Sequence, residues 1–156
     1  MFLSDQTKVA IPPGIALISC HVAVWYWARR LAEQRGLVIG VLSARDLLMR
    51  IGSMTGAGQP AMLALPRSGQ WDLNAKHQPP VNTVLLWTSG ATHSAVVTGE
   101  GQITGYNQGF IYGQTPASVL ATITSSQVLP AYRLCHTISE TTILKAAAAG
   151  QFGVYR

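Results

Sequence analysis

Apolar and polar positions alternate along this chain in two regimes. From Ser19 to about Arg35 the sequence is apolar almost all round: Val22, Ala23, Val24, Trp25, Tyr26, Trp27, Ala28 and Leu31. That pattern predicts a buried helix, with Ser19 as its cap and Gly36 past its end. A second helix is predicted from Ser43, with Asp46 completing a capping box, Leu47, Leu48 and Ile51 as its apolar face, and Gly52 as its stop. Residues 53–60 read as loop, 61–65 as a short helix, and 66–80 as a long polar loop containing Trp71 and His77. From Val81 the pattern changes. Val81–Trp87, His93–Thr98 and Gln102–Tyr106 are rich in β-branched and aromatic residues, and Gly99-Glu100-Gly101 reads as a hairpin turn. Thr115-Pro116 predicts a helix running to about Thr124. Val128–Leu134 reads as a strand that Pro130 confines to an edge or bulge. A last helix is capped within Thr137–Glu140, runs through Lys145 to Ala149 and ends at Gly150. Helices followed by an antiparallel meander with helices interposed make an α+β domain.

Composition narrows the class. The chain has 156 residues, 48% apolar and 11% charged, which suits one domain with a real core and argues against disorder. The longest apolar run, Ile15 to Trp27, is interrupted by Ser19 and His21 and is too short to span a bilayer. Met1–Thr7 lacks the basic region of a signal peptide. The net charge of +5 reflects a shortage of acids, because Lys and Arg number 11 and Asp and Glu only 6. No run of five basic residues exists, so nucleic acid is not the expected partner; an acidic protein or substrate is. No Cys-x-x-Cys or His-x-x-x-His is present, and no cofactor or metal is expected. Gly56-Ala57-Gly58 lacks the Lys-Ser/Thr of a phosphate loop.

The candidate chemistry centres on Cys20. At the first turn of a helix it faces unpaired backbone N–H groups and the positive end of the dipole, which stabilise a thiolate. A thiol nucleophile needs a base, and the base an orienting acceptor. His93 opens a predicted strand. If Val97 opposes Ile103 across the hairpin, His93 opposes Asn107; with a two-residue Glu100-Gly101 loop it opposes Gln108. Beyond His93 the only carboxylates are Glu100, at the turn, and Glu140, so the orienting group is expected to be one of these amides. His21 points about 100° away from Cys20 around a helix and reads as structural. Cys135 and His136, neighbours on a strand, face opposite sides and make a poor dyad. Trp71, in the polar loop, is the tryptophan expected to line a cleft.

Ser19-Cys20-His21-Val22-Ala23, Thr92-His93-Ser94-Ala95-Val96-Val97 and Gly105-Tyr106-Asn107-Gln108 resemble motifs of the papain-like cysteine peptidase superfamily. Within it they are most similar to small bacterial domains: bacteriocin-processing peptidases, NlpC-type cell-wall amidases, and toxin or effector proteases. The resemblance covers residues 15–110. It implies a papain-like fold, with a core helix carrying the Cys packed on an antiparallel sheet carrying the His. It also implies Cys20 as nucleophile, His93 as general base and acid, and Asn107 as orienting residue. The family often places a Gln shortly before the Cys; positions 11–19 hold none, which leaves Gln6 and Ser19 as oxyanion candidates beside the Cys20 N–H. The resemblance further implies a C-terminal toxin module of a larger protein, delivered by a secretion system. It would act in the target cytoplasm on a protein substrate and be held in check by an acidic immunity protein. Peptidoglycan amidase, glutamine deamidase and a non-catalytic binding module are the alternatives.

Overall fold

The computed structural model describes residues 20–36, 65–74, 76–88, 92–114 and 120–148. The second predicted helix, the loop after it, Ser19 and Gln6 lie outside these residues. The architecture is dominated by one six-stranded sheet, β1 (Gly69–Asp72), β2 (Val84–Trp87), β3 (His93–Gly99), β4 (Gln102–Tyr106), β5 (Leu120–Thr124) and β6 (Leu134–Ile138). Its order is β1-β6-β2-β3-β4-β5, antiparallel throughout. Among the described residues the helical structure is α1 (Cys20–Gln34), α2 (Glu140–Ala148) and three single turns.

This corrects the expected α+β, papain-like class: the sheet, and not a core helix, organises the described residues. Two segments read otherwise from sequence enter it, and a third expected strand is displaced along the chain. Leu120–Thr124, expected to be helical, pairs along β4 from Gln102↔Thr124 to Tyr106↔Leu120. Its β-branched Thr122, Ile123 and Thr124 suit a pleated surface; Thr115 and Pro116, where that helix was expected to start, lie outside the described residues. Gly69–Asp72, expected as loop, pairs with β6 as an exposed edge strand. Pro130 opens a single helical turn, Pro130–Tyr132, and the strand begins only at Leu134.

The β3–β4 hairpin holds the register Val97↔Ile103 and Val96↔Thr104, then shifts so that Gly99 faces Gln102. One extra residue, at Thr98, makes a bulge, and Gly101 turns the tip with φ +65°.

Strand residues alternate between two covered faces. On one face Leu85, Trp87, Ala95, Val97, Ile103, Ile123 and Cys135 form a core with Ile111 and Val128 from the connecting segments. The opposite face meets α1, which packs on β3 and β4 with Ala23, Val24, Trp27, Ala28, Leu31 and Ala32 buried. Three hydroxyls link β3, β4 and β5 by hydrogen bonds: Thr98 to Thr104 at 2.7 Å and Thr104 to Thr122 at 2.8 Å.

Ser139 caps α2, its Oγ accepting the Thr142 N–H at 3.2 Å. Glu140 then ties both helices to the sheet, bound by Arg35 at 3.0 Å and Asn82 at 3.0 Å. Burial raises the pKa of this carboxyl, but the Asn82 amide and the Arg35 guanidinium together hold it below its ordinary value. Among the described residues no helix is long and apolar enough to cross a membrane.

Candidate functional site

Cys20 is the first residue of α1 and is only 8% exposed. The helix delivers it onto β3 at Ser94, whose backbone N–H and hydroxyl both lie close enough to favour a thiolate. The N–H groups of His21 and of Cys20 itself act in the same sense, as expected at a helix head. Burial outweighs them and pushes the thiol up, so the resting sulfur is protonated, in contrast to the thiolate expected from position alone. Cys135 is likewise free and buried, pushed up to about 12 by burial and by the Asp72 charge.

Ser94 also receives His21. The His21 Nδ1 and Ser94 Oγ lie 2.8 Å apart in the interior, while His21 Nε2 has no hydrogen-bond partner among the described residues. Burial lowers the His21 imidazole to about 4, so it is neutral and able to accept a proton. Although 100° apart on a helical wheel, Cys20 and His21 therefore converge on one serine.

His93 immediately precedes Ser94 on β3 and faces the other side of the sheet. Its ring lies against Trp87, centroids 5.4 Å apart, and edge-on to Phe110 at 5.2 Å. At 1% exposure, burial first and the nearby His21 second depress it to about 3, with the Gln108 side chain acting in the opposite direction.

Of the two amides considered from sequence, Gln108 is the one set at this imidazole. Asn107 leaves β4 with φ +57°, a left-handed conformation that Asn tolerates, and this turn folds Gln108 back into the interior. Gln108 Nε2 donates to the carbonyls of Ala121 and Ile103. Its Oε1 and His93 Nε2 complete no hydrogen bond of good geometry among the described residues. Three buried polar atoms around the start of β3, His21 Nε2, His93 Nε2 and Gln108 Oε1, thus lack a well-formed hydrogen bond among the described residues.

Gly105 makes room for this amide. A Cβ there would sit 2.8 Å from Gln108 Oε1 and 3.0 Å from the Ala95 Cβ. Gly105→Ala is expected to displace Gln108 from His93 and to destabilise the fold by about 1–3 kcal/mol. Urea denaturation checks this; a midpoint equal to wild type would show that the space beside Gly105 is not filled as described.

The structure brings together Cys20, His21 and Ser94 on one face, and His93 with Gln108 on the other. Trp71 sits on β1, paired with Cys135 and three strands away from β3. His77 is exposed, and Cys135 and His136 occupy successive positions of β6. Ser94 escaped the sequence reading because a lone serine in a strand has no spacing signature; its position directly after His93 was the available clue. Among the described residues no group of three or more His, Cys, Asp or Glu could hold a metal ion. Comparison of the chain with family models, curated proteins and solved structures finds no match in any of the three.

Proposed function

We propose that the chain is a thiol hydrolase that cleaves an amide bond of a protein substrate. The observation that carries this reading is Cys20 at the head of α1, seated on Ser94 beside His93, with buried imidazoles on both sides of that strand. The short motifs around Cys20 and His93, which resemble those of papain-like cysteine peptidases, support the chemistry and not the fold.

In this reading the Cys20 proton passes to an imidazole as sulfur attacks the substrate carbonyl carbon. The Cys20 N–H helps to hold the oxyanion. The C–N bond then breaks as the imidazolium returns the proton to the leaving amine. Water hydrolyses the resulting thioester and regenerates the thiol. His93 is the base expected from the sequence, although β3 turns it to the face opposite Cys20, where the Gln108 side chain stands beside it. His21 is a second acceptor, favoured by the Ser94 hydroxyl that it shares with the thiol. Replacing each imidazole in turn separates them: at pH 7.5, with the fold intact, only loss of the true base abolishes turnover.

The proposed use is that of a toxin or effector module, delivered into a target cell and neutralised by an acidic immunity protein that complements the charge of +5. Peptidoglycan amidase or glutamine deamidase would use the same thiol. A second reading has its own support: Cys20 is buried and its thiol pushed up, as in a non-catalytic binding module.

Alkylation of the native protein by iodoacetamide decides between them, with Cys135 as internal control. Cys20 is expected to react well ahead of Cys135. If neither thiol reacts until the protein unfolds, the hydrolase reading is wrong and the binding module stands.

A further inference from the structure

Ser94 Oγ stands between two groups that leave the same helix in different directions. Cys20 and His21 are successive residues of α1 and point about 100° apart. The Ser94 hydroxyl lies beside the Cys20 thiol and 2.8 Å from His21 Nδ1. All three residues are buried. A hydroxyl has one proton to give and two lone pairs to receive with. An imidazole nitrogen is the stronger acceptor and a thiol sulfur the weaker, so the chain runs from the Cys20 S–H to Ser94 Oγ, and from the Ser94 O–H to His21 Nδ1. The remaining ring proton then sits on Nε2, which has no hydrogen-bond partner among the described residues.

We propose that Ser94 relays the Cys20 proton to His21, which makes His21 the base of the thiol and Ser94 the residue that positions both. This rests on the thiol-hydrolase reading above. As sulfur attacks carbon, the S–H bond breaks and its proton joins Ser94 Oγ. In the same step the Ser94 proton leaves for His21 Nδ1. Serine ends as a neutral hydroxyl and His21 as an imidazolium. When the C–N bond breaks, the imidazolium returns its proton through the same hydroxyl to the leaving amine. The backbone N–H groups of Cys20, His21 and Ser94 all lie where they favour the sulfur anion. Thiolate and imidazolium also attract one another across the serine, which offsets part of the cost that burial puts on each charge. His93 has no such route, because β3 turns it to the other face.

On α1 itself Arg29, Arg30 and Glu33 lie two turns or more from His21. Of the elements packed on α1, β3 adds His93, which burial holds neutral, β4 adds Tyr106, and α2 adds Glu140 and Lys145. Arg35 binds Glu140 and shares a groove with Lys145, past the far end of α1 and about 20 Å from Cys20.

The test alkylates the intact chain with iodoacetamide between pH 8 and pH 5.5. The Cys20 rate is read by mass spectrometry, and circular dichroism confirms the fold at each pH. A thiol that must lose its proton to solvent reacts about tenfold more slowly for each pH unit below its pKa. A thiol that passes its proton to His21 keeps a floor, because internal transfer leaves the number of bound protons unchanged. The wild-type rate is expected to level off toward pH 5.5. Ser94→Ala removes the relay. His21→Asn keeps an oxygen that can accept the Ser94 hydrogen bond but cannot hold the proton. Each is expected to lose the floor and to react about tenfold or more slowly than wild type at pH 5.5. The double variant should be no slower than either single one, since the two residues act as a unit. A wild-type rate that falls tenfold per unit all the way to pH 5.5 overturns the relay without recourse to a variant. A floor that survives in either single variant overturns it too. In both cases the alkylated Cys20 leaves the hydrolase reading standing. A native Cys20 that iodoacetamide modifies at no pH overturns that reading, and the relay with it.

Discussion

Cys20→Ala is expected to abolish the growth arrest that the wild-type chain is expected to cause when expressed in a bacterial cytosol. Removing a nucleophile from a thiol or serine hydrolase lowers turnover by about a thousandfold or more, because no other group can form the covalent intermediate. The structural cost is small by comparison. Cys20 is a modest side chain at a helix head, and replacing its sulfur with hydrogen leaves Ser94 bound to His21 at 2.8 Å. Circular dichroism and a urea midpoint within about 1 kcal/mol of wild type would confirm that the fold persists. Equal toxicity of the two proteins would remove Cys20 from the mechanism. Arrest seen only on periplasmic export would redirect the reading to a cell-wall amidase. An identified host protein, cleaved by wild type and intact with Cys20→Ala, would supply the substrate.

The parts of the fold legible in the sequence were those in which pattern and local chemistry agree. α1 combines an all-round apolar interior with a Gly just past its end, and it spans Cys20–Gln34 as the pattern predicts. The central strands carry dense β-branched and aromatic residues, and Val97 does oppose Ile103. The three-residue and two-residue hairpin readings both contained part of the answer. The bulge at Thr98 keeps the first register along the strands and allows Gly99 to face Gln102 at the tip. Strands that depend on a neighbour were not legible. β1 is a four-residue exposed edge with no apolar alternation, and β5 takes its place by pairing with β4, which its own short sequence does not announce.

The site divides in the same way. Cys20 and His93 are marked by residue type, but their surroundings depend on which strand face each occupies. The amide at His93 depended on a single left-handed residue. With Asn107 in a strand conformation, Asn107 itself would face the imidazole; at φ +57° it turns the chain and hands that position to Gln108. The side chain beside His93 is the Gln108 amide, and the sequence offers only two carboxylates, Glu100 and Glu140, beyond His93.

Acidification from pH 7 to pH 5 is expected to destabilise the protein strongly. Burial holds His21 at about 4 and His93 at about 3, below the 6.5 of an unfolded imidazole. The unfolded chain therefore takes up protons first as pH falls. The stability tied to these two groups is complete above about pH 6.5 and is lost progressively toward their folded values. By pH 5 each imidazole accounts for roughly 2 kcal/mol, a large share of the 5–15 kcal/mol typical of a domain. Glu140, held low by Asn82 and Arg35, adds a loss in the same direction at still lower pH. Urea midpoints at pH 7.5, 6 and 5 measure the slope. His93→Gln should lower the midpoint at pH 7.5, since it disturbs the ring packed between Trp87 and Phe110, and should make the midpoint less sensitive to acid. A wild-type midpoint unchanged between pH 7.5 and pH 5 would show that neither imidazole is buried in its neutral form. The same protonation states bear on catalysis. Burial that keeps these imidazoles neutral down to about pH 4 also makes them weak bases toward the Cys20 thiol, and acid inactivation above that pH reports unfolding rather than titration of a base.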